Sequence, residues 1–456
     1  MKKGKFSYHI FSIIICLTFL FVFHSGPDCI YAQDYFPGND WEKIANPADA
    51  GYSKQKLDAA KAYSETISTA ACIVLINGKI LTEWGDVNTK FLTHSARKSF
   101  LSAVYGKYVM NGTIDLDMTL GDLGIDDIPP LSDQEKRATI RDCLKARSGV
   151  YHTAEAESEG MHNMKPDRDS LDPGTFWLYN NWDFNVLGTI FEQLTGKEFF
   201  NALKEDIADP IQMEHFSMED DLSFKTDRSI HEAYMFVISA RDMARFGLLF
   251  LRNGNWSGKQ VVPDEWVKES TAYYSDATVY RRDGYGYMWW AAKDNNRFPH
   301  FPIVNLPEGT YSARGAYGQY ILVIPAYDMV IVHRVNSFER GNYTYPAQFG
   351  MLAKMIIDAG PDADRPLPVL NRTTKEKYTG NYRLNSDAGI SVTLEDGKLF
   401  FEMTGRPKEE MTAVSENMFF TMISSLKIRF GGGDPDTIDR IILYQPDGLH
   451  TAKKIK

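Results

Sequence analysis

Cysteine is scarce in this 456-residue chain: of four, Cys16 and Cys29 fall in or next to an apolar N-terminal stretch, leaving Cys72 and Cys143. A dense disulfide framework is thereby excluded. Cys72 in AACIVLI and Cys143 in IRDCLKA sit in apolar settings on different elements and are expected as buried free thiols. The chain has no Cys-x-x-Cys, no His-Glu-x-x-His and no Gly-x-Ser-x-Gly. Zinc-ribbon, zincin and triad-hydrolase chemistry each lack their first requirement. Positive charge is short as well, with 50 Lys and Arg against 60 Asp and Glu and a formal charge of -10. Such a chain is a poor partner for nucleic acid or anionic membrane surfaces. There is no internal repeat and no low-complexity segment. The composition, 43% hydrophobic and 24% charged, is ordinarily globular with room for two or three domains.

One long apolar run does occur. MKKGKF leads into IFSIIICLTFLFVF and then CIYA, with Ile30 and Ala32 at the small-residue cleavage positions. We expect an export signal over residues 1–32 and a protein that is periplasmic or secreted, with no stable membrane span after cleavage. An uncleaved anchor is the competing reading of the same run. A lipid anchor at Cys29 fits worse, because GPDC lacks the small apolar residues that precede a lipidated cysteine. Loss of Lys2, Lys3, Lys5 and Asp28 would take the formal charge from -10 to -12.

The pattern then divides the chain. ACIVLINGKILTEWG (71–85) predicts a hairpin about an Asn-Gly turn. Residues 93–110 predict a helix with Thr93 as N-cap, closed by Asn111-Gly112. Helical segments dominate from 110 to 250. YGYMWW (285–290), YGQYILVIP (317–325) and DMVIVHR (328–334) read as strands, and 344–358 as a closing helix. The expectation is an α+β domain, an antiparallel sheet flanked by helices and interrupted by an all-helical insertion. A Pro-rich connector, GPDADRPLPVL, separates it from short alternating runs that predict a small antiparallel β-barrel.

Ser-x-x-Lys occurs three times, at Ser53, Ser95 and Ser424, where average usage gives roughly two by chance. Context separates them. Ser53 reads as the N-cap of a charged helix. Ser424 and Lys427 lie in a strand-like run, where a spacing of three sends side chains to opposite faces. Ser95 and Lys98, in HSARKSF, fall in the first turn of an apolar helix and share a face near its positive dipole end. A serine hydroxyl attacks a carbonyl only if a base takes its proton. Bringing a lysine from ~10.4 to near neutrality asks about 4 kcal/mol of burial and neighbouring charge. A plain buried serine is the alternative.

WLYNNWDFN adds Tyr179 and Asn181 on a loop at a helix start. A phenol can relay a proton, and an amide can hold a substrate carbonyl or steady the lysine. YSARGAYGQYILVIP reads as a strand entry that offers an amide to a developing oxyanion beside that of Ser95, with Gly318 allowing close approach. His94 is adjacent to Ser95, but neighbouring helical residues point about 100° apart, so it reads as a cleft or capping residue. DLDMTLGD has Leu120 where a calcium loop needs glycine and reads as a solvated turn. The seven aromatics of 273–290 fit either a carbohydrate platform or packing.

With these motifs in order, residues 40–360 resemble the serine β-lactamase-related hydrolases, a group holding class C β-lactamases, D-alanyl-D-alanine carboxypeptidases, esterases and 6-aminohexanoate-oligomer hydrolases. Stretches such as ATIRDCLKARSGVYH and ISARDMARFGLLFLRNGNWSGKQVVPDEWV carry the likeness further. The resemblance implies a β-lactamase/transpeptidase-like fold and a Ser95 nucleophile. It implies Lys98 as base, Tyr179 as proton relay with Asn181 beside it, and no metal or cofactor. Residues 361–373 would be a linker, and 374–456, opening KYTGNYRL, resemble a lipocalin-like barrel. The group's third motif runs cation, small residue, Gly; aligned on Gly318, Ala316 takes the cation's place. Arg314 or Tyr317 would then have to serve the substrate, while the Gln319 amide still serves the oxyanion. The reading leans to an ester or an uncharged-end amide, a small molecule or a short peptide-like substrate, as in the esterase and oligomer-hydrolase branches. β-Lactamase or carboxypeptidase activity, and a non-catalytic sensor on the same scaffold, are the alternatives.

Overall fold

Ser53 opens the first helix, α1 (Lys54–Ser64), its hydroxyl accepting from the Lys56 amide at 3.4 Å. This is the capping role its sequence predicted. The computed structural model describes Met1 and residues 34–293, 297–363, 366–432 and 437–455. Apart from Met1, the expected export signal lies outside them. From Tyr35 onward the chain forms one unit. Among the described residues no helix is long and apolar enough to cross a membrane.

All six residues of β1 (Ala71–Ile76) are buried, as a continuous apolar run requires of a strand covered on both faces. Asn77 and Gly78 both take positive φ, 52° and 79°, the geometry of a tight hairpin turn into β2 (Lys79–Gly85). The sheet is completed by β3 (Ser275–Asp276), β4 (Gly284–Tyr285), β5 (Trp290–Ala291), β6 (Tyr311–Gly315), β7 (Gln319–Ile324) and β8 (Met329–Arg334). Its order is β2-β1-β8-β7-β6-β5-β4-β3, antiparallel throughout.

On one face lie α2 (Arg97–Met110), α3 (Asn181–Thr195) and α4 (Ala240–Leu251), sharing a core with Ile73, Leu75, Ile321 and Val332. On the other, α1 and α5 (Pro346–Ile357) cover Cys72, Val74, Leu322 and Ile331. Both Cys72 and Cys143 are buried and free. The helical insertion between β2 and β3 carries, in addition, two ribbons of two residues per strand, Phe91–Leu92 with Val237–Ile238 and Asn255–Trp256 with Lys259–Gln260.

Two segments expected as single strands are hairpins. YGYMWW turns at Met288, φ 60°, between β4 and β5. YSARGAYGQYILVI turns through Ala316–Gly318, with Tyr317 at φ 66° and Gly318 at φ 107°, so YSARG is a strand of its own. A tyrosine in the left-handed region is uncommon, and the turn is correspondingly hard to read from residue types.

Beyond α5, eight strands close into an antiparallel barrel: β9 (Gly380–Arg383), β10 (Gly389–Glu395), β11 (Lys398–Met403), β12 (Glu409–Ala413), β13 (Met418–Thr421), β14 (Lys427–Gly431), β15 (Arg440–Gln445) and β16 (Gly448–Lys454). Closure comes from Tyr382 and Arg383 pairing with Lys454 and Lys453. Inward residues including Tyr382, Phe401, Phe419 and Phe430 form its own core. The short helix Arg372–Tyr378 brings the Tyr378 ring to 4.6 Å from Phe430. Phe420, Val414 and Met422 on the barrel pack against Ile303, Ala347 and Met351 of the first domain. Ser424 lies in a turn rather than a strand, its hydroxyl 2.8 Å from that of Thr421, and Lys427 reaches the Arg297 carbonyl. The third Ser-x-x-Lys match is therefore not a functional pair.

Candidate active site

The entry to α2 differs from a simple capped helix. Thr93 has helical dihedrals and makes no side-chain cap; its hydroxyl donates to the Phe236 carbonyl at 2.9 Å. His94–Ala96 form a 3-10 turn opened by His94 at φ 48°, and the α-helix begins only at Arg97. Thr93 is thus not the N-cap that its position suggested, because the neighbouring Val237–Ile238 ribbon satisfies it. Ser95 is left half-buried on this tight turn, with Lys98, 1% exposed, beneath it.

Lys98 Nζ lies 3.2 Å from Ser95 Oγ, 2.5 Å from Tyr179 Oη and 2.7 Å from Asn181 Oδ1. Asn180 caps α3 through the Trp182 amide, which presents Asn181 as the first helical residue and leaves Tyr179 on the loop before it. Asn181 Nδ2 donates to the Ala156 carbonyl at 2.7 Å. That fixes its oxygen on the lysine rather than on a substrate. Tyr179 is held in an aromatic box, stacked on Trp290 at 5.5 Å and edge-on to Tyr285 at 5.9 Å, while the Tyr280 hydroxyl donates to its carbonyl at 3.1 Å. Of the aromatics of 273–290, Tyr280, Tyr285 and Trp290 pack around Tyr179, and Tyr285, Tyr287, Trp289 and Trp290 are buried.

Burial first, and then the Arg97 guanidinium, hold the Lys98 amine well below its ordinary pKa. The Tyr179 and Phe184 rings, 4.0 and 4.3 Å from Nζ, pull the other way, since ring faces attract an ammonium. Their worth is about 0.5–2 kcal/mol, against several kcal/mol for full desolvation, so the net displacement stays downward. Burial also pushes the Tyr179 phenol up, leaving it a protonated hydroxyl that can pass a proton. His94 is pushed down to about 4, chiefly by burial, and its Nε2 lies 2.8 Å from Ser337 Oγ. At neutral pH it is an uncharged neighbour of the hydroxyl. A hydroxyl, an amine whose charged form is disfavoured and a phenol in mutual contact can deprotonate a nucleophile and deliver the proton to a leaving group.

The strand beside this turn is β6, and its glycine is Gly315. A Cβ there would meet the Thr93 carbonyl oxygen at 2.3 Å and the Ala96 amide nitrogen at 3.2 Å, so only glycine lets β6 abut the Ser95 turn. Gly318, expected in that role, would instead meet Thr344 and Val335. Gln319 lies on β7, one strand further away; its side chain donates to the Val335 carbonyl and accepts from Arg334. The expected alignment on Gly318 was thus three residues late, because the β6 strand was not recognised. Aligned on Gly315, the cation's place falls on Ala313, fully buried in the core with α2.

Arg314 is not a substrate clamp. It lies on the opposite face of β6, 4.0 Å over the Phe301 ring, donating to Ser312 Oγ and the His300 carbonyl at 2.8 Å each. Tyr317 is 40% exposed and packs on His94 at 4.9 Å and Tyr343 at 5.6 Å. Sequence reading did not single out Gly315, Asn185, Tyr280, Trp290 or Arg97 for the site. Only Gly315 carried a visible signal, as the glycine ending a short run before a turn.

A buried lysine one turn from a serine, a loop phenol and a glycine-ended edge strand define a serine-hydrolase scaffold of the β-lactamase and penicillin-binding-protein kind. The chain belongs to the Beta-lactamase family, whose model matches residues 55–352. It is 24% identical over 304 residues to an uncharacterized protein of Alkalihalophilus pseudofirmus, covering 59% of this chain and 84% of that protein. It is 20% identical over 324 residues to Penicillin-binding protein 4* of Bacillus subtilis, covering 63% and 68%. Among solved structures, the octameric penicillin-binding protein homologue from Pyrococcus abyssi superposes with a TM-score of 0.53 at 17% identity, over 87% of this chain and 99% of that one. Family membership implies a small-molecule substrate.

Proposed function

We propose that this protein hydrolyses an ester or an amide with an uncharged end through an acyl-enzyme on Ser95. The observation that carries the reading is the mutual contact of Ser95, Lys98, Tyr179 and Asn181 around one buried amine. Lys98, directly or through Tyr179, takes the Ser95 proton as Oγ attacks the carbonyl. Tyr179 then returns it to the leaving group, and a water repeats the sequence to release the acid. The Ser95 amide and an amide at the β6 end, at Ala316 rather than Gln319, stabilise the oxyanion. The uncharged-end preference follows from Ala313, which leaves β6 without a cation for a substrate carboxylate. The relationship to a penicillin-binding protein supports a second reading, cleavage of a β-lactam or of a D-alanyl-D-alanine peptide.

A panel of p-nitrophenyl butyrate, nitrocefin, a D-alanyl-D-alanine peptide and neutral amides separates these readings. Turnover of the ester or neutral amides, with nitrocefin and the peptide slower, is expected. Faster turnover of either carboxylate-bearing substrate would reverse the substrate assignment, and turnover of none would favour the sensor reading. The periplasmic or secreted location belongs to the same proposal and is tested by fractionating cells that express the full chain.

A further inference from the structure

Arg97 is 1% exposed, and the groups its guanidinium touches carry no charge. Nε faces Met235 Sδ at 3.1 Å, Nη2 donates to Asn185 Oδ1 at 3.0 Å, and the guanidinium sits 4.3 Å over the Tyr234 ring. Nη1 is buried without a hydrogen-bond partner, and no carboxylate pairs with the group among the described residues. Burying a cation without an anion is costly, and an apolar side chain of similar volume would fill the space without the penalty. Packing alone therefore does not account for an arginine here.

Its position suggests what does. Arg97 immediately precedes Lys98, and the two cationic side chains dock on one stripe of α3: Asn181 receives Lys98, and Asn185, one turn further on, receives Arg97. Both amides are tied to the same Glu155 carbonyl, at 3.5 and 3.2 Å. Two further charged groups lie close by: the Glu155 carboxylate, 1% exposed and accepting from the Thr226 amide and hydroxyl at 2.7 Å each, and the buried Arg334 guanidinium, which acts on His94. Tyr179, Tyr234, Tyr280 and Tyr285 are phenols that burial keeps protonated, and His94 beyond Ser95 is a neutral imidazole.

We propose that Arg97 is a positioning residue for the base: a buried cation without a carboxylate partner, docked one turn of α3 from Lys98 so that the amine is poised to accept the Ser95 proton. The inference rests on the acyl-enzyme reading and assigns one residue's part in it. Arg97 does not touch substrate; it acts on Lys98 through the field. Repulsion from the Arg97 guanidinium, smaller than the effect of burial, pushes the Lys98 amine down and agrees with this placement.

The test is the pH dependence of Ser95 labelling by a fluorophosphonate, a readout that needs no knowledge of the natural substrate. Two neighbouring buried cations at an effective dielectric of ~20 displace each other's titration by about 1–2 pH units. In Arg97→Met the acidic limb is expected to move to higher pH by about that amount, and Arg97→Lys should restore it. Met235→Glu supplies a carboxylate to the guanidinium and should move the limb in the same direction with Arg97 intact, which covers the case of an unstable Arg97→Met. A lower labelling rate with the limb unmoved in these variants would reduce Arg97 to a structural residue and overturn the inference. Ser95→Ala is run in parallel. Labelling that persists there overturns the acyl-enzyme reading itself, whereas its loss together with an unmoved limb removes only the role of Arg97.

Discussion

The contact between β6 and the Ser95 turn can be tested by adding one carbon atom, as Gly315→Ala. The new Cβ would stand 2.3 Å from the Thr93 carbonyl oxygen, which is backbone and cannot rotate away. Relief to an ordinary contact needs a displacement of roughly 1 Å between the strand end and the nucleophile turn. An oxyanion donor works at about 2.7–3.1 Å, so a shift of that size takes the β6 amide out of range. Loss of one such donor costs about 2.7–4 kcal/mol of transition-state stabilisation, or roughly 10²–10³ in kcat. Overpacking adds about 1–3 kcal/mol of lost stability, so the assay pairs steady-state turnover of the best panel substrate with thermal unfolding, below the variant's Tm. Gly318→Ala is the control. Its Cβ would meet Thr344 at 2.8 Å and its φ of 107° is strained, so it should lose stability but keep kcat within a few fold. A folded Gly315→Ala enzyme with kcat within tenfold of the parent would refute the placement of an oxyanion donor on β6.

Other expectations concern proton transfer and acid stability. Tyr179→Phe should lower the catalytic rate by roughly 10²-fold or more with little change in fold, since the ring keeps its stacking on Trp290. A near-unchanged rate would remove the phenol from the mechanism. His300 and His333 are fully buried, with pKa values pushed down to about 4 by burial. Their folded pKa lies below the unfolded value of 6.5, so the stability they contribute is complete above pH 6.5 and is lost as pH falls toward 4. At pH 5 each costs about 2 kcal/mol relative to pH 7.5. Unfolding should therefore come markedly earlier at pH 5, and His333→Gln should flatten that dependence; an unchanged slope would show that His333 does not titrate this way.

The parts of the molecule legible in the sequence were those whose signal is local. The β1–β2 hairpin was carried by Asn77-Gly78, α3 by its apolar periodicity and the C-capping Gly196, and the barrel by short alternating runs. Ser95, Lys98, Tyr179 and Asn181 were singled out by spacing and context, and the fold brings them together. What escaped depended on tertiary partners. Thr93 does not cap α2 because a strand nearly 150 residues later takes its hydroxyl. Tyr311–Gly315 was hidden because a turn through Tyr317 needs a backbone conformation that residue type does not advertise. Arg314 was expected to share a face with Ala316 on a regular strand, but the strand ends at Gly315 and Arg314 faces Phe301 instead. Arg97 looked like any helical arginine until its lack of an anion was seen.

The central claim is that Ser95 is a nucleophile activated by a neutral Lys98. Its most direct test is intact-mass analysis after reaction with a fluorophosphonate. The account predicts one adduct per chain, mapped to the peptide holding Ser95, absent in Ser95→Ala and strongly slowed in Lys98→Ala. No adduct on the parent protein, or the same adduct in Ser95→Ala, would contradict it.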